Sequence, residues 1–112
     1  MEKEFLYVGY YEDKEGRYIL KVGTTNNLER RRKEHNTKYH NASYCRMPID
    51  KEFTYLWSLP LSKYNTLRYE DKAKELWKEQ EIGMYLANDR FILFDKPEFV
   101  EVKIRKTYKI FL

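Results

Sequence analysis

The stretch GTTNNLERRRKEH, residues 23–35, decides how the rest of the chain is read. Gly23 closes a β-rich run. Thr24 to Asn27 is turn and cap chemistry, because short polar side chains accept hydrogen bonds from the first free N–H groups of a helix. Leu28 to His35 then carries helix formers. Arg31 and His35 stand four apart, so a helix projects both from one face. Arg30, Arg32 and Lys33 face elsewhere.

Working upstream, Tyr18 to Val22 (YILKV) and Phe5 to Tyr11 (FLYVGYY) are β-rich, and the polar segment from Glu12 to Gly16 joins them as a hairpin loop. Downstream, residues 36–48 are polar and irregular. Phe53, Tyr55, Trp57 and Leu59 alternate with other side chains, which argues a third strand that Pro60 ends. Asn65 or Thr66 caps a second helix running to about Glu81, with Ala73, Leu76, Trp77 and Gln80 on its inward side and Gly83 as its stop. Phe91 to Phe94 reads as a short buried strand. Phe99 to Ile104 alternates and reads as another, with Tyr108 to Leu112 a further candidate. The expected class is α+β: one domain over residues 1–112, with a core at about 5–94 and a C-terminal extension at 95–112.

Composition bounds the partners. The chain has 112 residues, 42% hydrophobic and 17% aromatic, enough for one core. Eleven Tyr outnumber six Phe and two Trp, and Tyr suits strands, half-buried positions and base stacking. The net charge of +4 is unevenly spread. From Arg17 to Arg46 eight Lys and Arg face two acids, Glu29 and Glu34, so that segment is +6 and the remainder −2. A concentrated basic face suits a phosphate backbone, although a solvated helix face shows the same pattern. Cys45 is the one cysteine, so the chain forms no internal disulfide and shows no zinc spacing. With no secretory leader and no 18-residue apolar run in the sequence, the expectation is a cytoplasmic protein with no membrane partner, monomeric or homodimeric.

The order hairpin, Gly, cap, basic helix, strand, acid-bearing helix resembles the GIY-YIG nuclease family. Gly23, Thr25, Asn27, Leu28, Arg31 and His35 match its pattern in register, and Phe5-Leu6-Tyr7 keeps the Tyr of the first motif without its Gly. Lys21-Val22-Gly23 stands where Tyr-Ile-Gly is usual, as in some restriction and phage-type branches. The resemblance covers roughly residues 5–94. It implies a small domain with a central three-stranded antiparallel sheet flanked by helices, followed here by short C-terminal strands. It also implies a metal-dependent endonuclease of phage type acting on nucleic acid, with DNA expected first and Mg²⁺ or Mn²⁺ as cofactor.

Within that resemblance the residues take roles. Glu70 is the metal ligand, lying on the helix after the third strand and sharing the inward side with Ala73 and Trp77; Glu75 is the rival. Mg²⁺ keeps several waters, so one firm protein ligand suffices. Arg31 binds a non-bridging phosphate oxygen. Tyr7 is the general base or its relay, with Lys21 on the paired strand expected to lower its pKa; Tyr18 is a second phenol nearby. His35 shuttles a proton or bonds phosphate. Arg30, Arg32, Lys33 and Lys38 hold flanking phosphates, and Asn88, in a polar-Arg-aromatic stretch like one near the end of phage-type members, orients phosphate or Glu70. Two other readings stay open: a catalytically silent nucleic-acid-binding or inhibitor protein, and a Tyr-rich protein–protein interaction domain.

Overall fold

A computed structural model describes residues 3–43, 45–79, 82–87 and 90–109. Strands β1 (Lys3–Glu12) and β2 (Tyr18–Thr25) form an antiparallel hairpin, followed by helix α1 (Leu28–His40). Next come β3 (Thr54–Ser62), α2 (Lys63–Glu79), β4 (Gly83–Ala87), β5 (Arg90–Leu93) and α3 (Pro97–Lys109). The strands make one antiparallel sheet in the order β3-β1-β2-β5-β4. None of the described helices is long and apolar enough to cross a membrane.

Local chemistry explains the hairpin and the helix that follows it. The buried Asp13 carboxylate accepts from the backbone N–H of Glu15 and Arg17 and from Arg17 Nε, at 3.0, 2.8 and 2.8 Å, which ties the turn together. Asn27 caps α1 by accepting from Arg30 N at 3.0 Å, and Thr25 Oγ1 in turn accepts from Asn27 N at 3.1 Å.

Strand alternation sorts the core into two layers. Leu6, Val8, Leu20 and Val22 lie on one face with Ala73 of α2 and Val100 and Ile104 of α3. Tyr7, Tyr11 and Ile19 lie on the other with Tyr39 of α1, Met47 and Phe53.

The sheet has five strands rather than three. Residues 83–87 and 90–93 pair with each other, and β5 docks on β2 with Ile19 opposite Ile92 and Lys21 opposite Arg90. Gly83 therefore opens a strand where a helix stop was expected. The C-terminal strand expected at Phe99–Ile104 is helix, and so are Tyr108 and Lys109, while residues 110–112 lie outside the described residues. The buried positions Val100 and Ile104 are four apart, the helical spacing, and Pro97 starts the helix where its missing N–H costs nothing. Helix α1 also runs past His35 to His40, because Tyr39 buries the next turn of the same stripe. Strand β3 continues through Pro60, which an edge strand tolerates because its outer side needs no ladder donor.

Gly9 lies against Phe53. A Cβ there would overlap the Phe53 ring and stand 2.8 Å from the Thr54 carbonyl oxygen. Gly9→Ala is expected to lower stability by roughly 1–3 kcal/mol, read as a lower urea midpoint at an unchanged m-value.

Candidate active site

The face of the sheet under α1 holds the polar cluster. Tyr7 is fully buried and its Oη lies 2.6 Å from His35 Nε2. Gly23 is directly opposite Tyr7 in the ladder, and any Cβ there would overlap the phenol oxygen. The glycine thus gives the phenol its place. Arg31, one turn before His35, lies close enough for its guanidinium to pull the Tyr7 pKa down against burial. A guanidinium only donates, so Arg31 addresses a lone pair of the phenol oxygen. His35 Nδ1 and Arg31 Nε are buried without a hydrogen-bond partner.

Lys21 is 5% exposed and sits opposite Gly9, on the same face as Tyr7. Burial lowers its ammonium pKa; Glu70 opposes this, Arg31, Lys38 and Lys74 add to it, and the result is about 7. His35 is driven to about 3, first by burial and then by Arg31, Lys21 and Lys38, so its ring is neutral. Burial holds the Tyr7 phenol well above its ordinary value, more strongly than Arg31 pulls it down. The expected order is therefore reversed: Tyr7 is protonated at neutral pH and is no ready base, while the amine of Lys21 is the group that titrates near 7.

The other expected residues are less closely joined. Glu70 is carried by α2, the helix that packs with Ala73 over the Leu6–Val8 face, on the far side of the sheet from Tyr7. Its carboxylate is 15% exposed, pairs with Lys74 Nζ at 2.9 Å and reaches the cluster through its charge on Lys21. Glu75 is exposed. Arg31 Nη1 pairs with Glu34 at 2.7 Å. Arg30 holds Asn26 at 2.7 Å and Glu34 at 3.4 Å, and Arg32 meets Glu52 at 3.1 Å. Lys33 approaches Glu29 at 3.9 Å, so much of the helix's basic charge is locally compensated. Lys38 turns toward the cluster, lying 5.7 Å from the Tyr39 ring centroid and acting on both Lys21 and His35. Tyr18 stacks edge-on with Tyr10, which alternation places on the other face. Asn88 lies outside the described residues.

Several supporting residues carried no sequence signal beyond hydrophobicity. Phe53 and Tyr55 wall the Tyr7 ring edge-on, at centroid distances of 6.3 and 5.2 Å, and Tyr39 stacks parallel to His35 at 5.3 Å. Of these, Tyr39 was legible as the i+4 neighbour of His35. The buried Arg90, opposite Lys21 across the β2–β5 ladder, was visible only as part of a local motif.

Fold and cluster together define a small α+β domain in which a capped helix lays a His and a partly exposed Arg over a buried Tyr and Lys. The T5orf172 domain model matches residues 4–110, and the chain belongs to that family. The family is phage-associated and nuclease-like or nucleic-acid-binding. No curated protein and no solved structure matches the chain. This assignment corrects the resemblance to GIY-YIG nucleases, since the matching family is a different one, and its match extends past residue 94 to residue 110. The six residues behind that resemblance report local geometry: a glycine under a phenol, an Asn cap, and an Arg and a His on one helical face. A domain that lays a short helix across a hairpin meets the same demands.

The shifted groups set a pH profile for stability. His35 has a folded pKa of about 3 against 6.5 ordinarily, so below pH 6.5 the unfolded chain takes up a proton that the folded one refuses, and stability falls with pH. Lys21 has a folded pKa of about 7 against 10.5, so stability rises with pH above 7. Urea midpoints are expected to drop from pH 6.5 to 5 and climb from pH 7 to 9.5. The acid limb flattens in His35→Gln and the alkaline rise in Lys21→Met. Unchanged slopes in both variants would show that these groups do not titrate as burial dictates.

Proposed function

We propose that this chain hydrolyses phosphodiester bonds in nucleic acid with the aid of a divalent metal, DNA being the first substrate to test. The observation that carries the reading is Arg31 Nε, a buried donor with no partner beside the Tyr7–His35 pair. A buried unpaired donor costs stability, and an anionic oxygen is the acceptor that suits a guanidinium best.

Each residue has a physical task. Arg31 donates to a non-bridging phosphate oxygen and holds the charge that grows there during attack. Tyr7, fixed between Arg31 and His35, sets the guanidinium's position. Lys21 takes the proton of the attacking water. As the new O–P bond forms, the bond to the leaving sugar oxygen breaks, and that oxygen is protonated from solvent. Lys38 and the outward ends of Arg30, Arg32 and Lys33 seat neighbouring phosphates along α1.

Glu70 would hold the metal, Mg²⁺ or Mn²⁺. Among the described residues no three His, Cys, Asp or Glu gather into a metal-binding group. A lone half-buried carboxylate suits the oxygen-loving, water-keeping Mg²⁺ and not a site of three protein ligands. Lys74 must give way for it to bind. The chemistry such an ion would supply is positive charge at the Glu70 side of Lys21. The Glu70–Lys74 pair also favours a second reading, a binder that never loads metal and grips nucleic acid without cutting it.

A Mg²⁺ assay on plasmid and on single-stranded and branched DNA and RNA decides between them. Cleavage abolished by EDTA supports the enzyme; salt-sensitive binding with no cleavage supports the binder. Arg31→Ala and Glu70→Ala are each expected to slow cleavage by about 10²–10³ with the circular dichroism unchanged. A base must be deprotonated to act, so the rate is expected to rise with pH through about 7 and then level off. A pH-independent rate from 6 to 8.5 would remove Lys21 from the proton's path.

A further inference from the structure

A cavity of about 590 Å³ opens at the turn end of the hairpin. It lies between the turn after β1, the loop after α1 and strand β4, with Lys14, Arg17, Asn41, Ser43, Arg46 and Leu86 in its walls. The backbone holds these walls together, Lys14 N donating to the Arg46 carbonyl oxygen.

Positive charge prevails inside. Two acids also border the cavity, but the Asp13 carboxylate is taken up by the turn, and Glu15 pairs with Arg17 at 3.2 Å. Arg46 uses its Nε on the His40 carbonyl oxygen at 2.8 Å. Behind the walls stands Arg90, 7% exposed, whose charge acts on Tyr11 and on Cys45 at the cavity wall. Tyr11 is fully buried behind the cavity, where Arg90 pulls its pKa down against burial. With Arg17 balanced by Asp13 and Glu15, an anion placed here meets Lys14 and Arg46.

Size and position narrow the ligand. The volume falls in the range of small-ligand pockets and is too small for a duplex. The extended strand from Tyr7 to Glu12 spans about 17 Å, so a polynucleotide joining this cavity to the Arg31 cluster crosses several nucleotides.

We propose that the cavity seats one unpaired nucleotide of the nucleic-acid strand that reaches the Tyr7–Arg31 cluster. Its phosphate lies against Lys14 and Arg46, and its base covers Leu86 with Asn41 and Ser43 at the edge. The strand's identity rests on the function proposed above, whereas the occupancy of the cavity does not. The substrate favoured is then a duplex bearing a single-stranded tail or branch.

The test titrates thymidine 5′-monophosphate, and separately inorganic phosphate, into the ¹⁵N-labelled full chain without metal. The monophosphate is expected to shift the amides of Lys14, Ser43 and Leu86 at lower concentration than phosphate does. In Lys14→Glu/Arg46→Glu its affinity falls at least tenfold. The exposed Lys14→Glu alone falls at least threefold, which guards against misfolding of the pair. By anisotropy in EDTA, the paired variant loses at least tenfold affinity for a tailed duplex and less than twofold for a blunt one. Shifts confined to Arg31 and His35, wild-type affinity in both variants, or equal losses on tailed and blunt duplex overturn the subsite. If the monophosphate maps to the cavity while no substrate is cut, hydrolysis fails and the subsite stands.

Discussion

A single buried hydrogen bond, between the Tyr7 phenol and His35 Nε2, joins the two elements on which everything else is mounted. It ties β1, an inner strand of the sheet, to the helix crossing it, at a point sealed by Phe53, Tyr55 and Tyr39. A buried acceptor left unpaired costs more than a formed bond contributes, so helix and hairpin are fixed in one relative position. Three sequence features serve that bond directly. Gly23 leaves room for the phenol, Asn27 starts the helix at the right residue, and the spacing from cap to His35 brings the ring over the strand.

Burial, more than pairing, sets the electrostatics of the cluster. For Tyr7, Lys21 and His35 alike, desolvation is the first cause of the shift, and in each case it favours the neutral form. Three titratable groups are thus kept uncharged, or close to it, around one permanent cation, Arg31. An incoming phosphate therefore meets a fixed positive charge in a setting that screens it poorly. The acidic partner, Glu70, is held back on another layer by Lys74, so metal binding and the Tyr–His pair respond to separate parts of the fold.

The N-terminal half was legible because its signals are local. The hairpin turn, the Asn27 cap and the Arg31–His35 face are written in neighbouring residues, and each found its place in the structure. The C-terminal half was not. In residues 99–104 alternation and helical spacing both fit the apolar positions, and only packing on the Leu6–Val8 face decides for a helix. The β4–β5 pair is too short to announce itself without its partner strand. The Tyr7 pKa was misjudged for a similar reason: an ammonium on the adjacent strand is readable, but the depth at which both groups lie is not. The family was misread because most of the weight rested on residues 23–35, whereas the T5orf172 match runs from residue 4 to residue 110.

Pro60 closes the account of the sheet. Strand β3 is an outer strand, and an outer strand offers its free donors and acceptors to any extended chain that drifts alongside. Pro60 deletes one donor from that row, and the irregular pairing between Val8 and Gly9 bends the strand further along. This flank is therefore a poor template for a sixth strand, and self-association by edge-to-edge growth is discouraged beside the hairpin that carries the cluster.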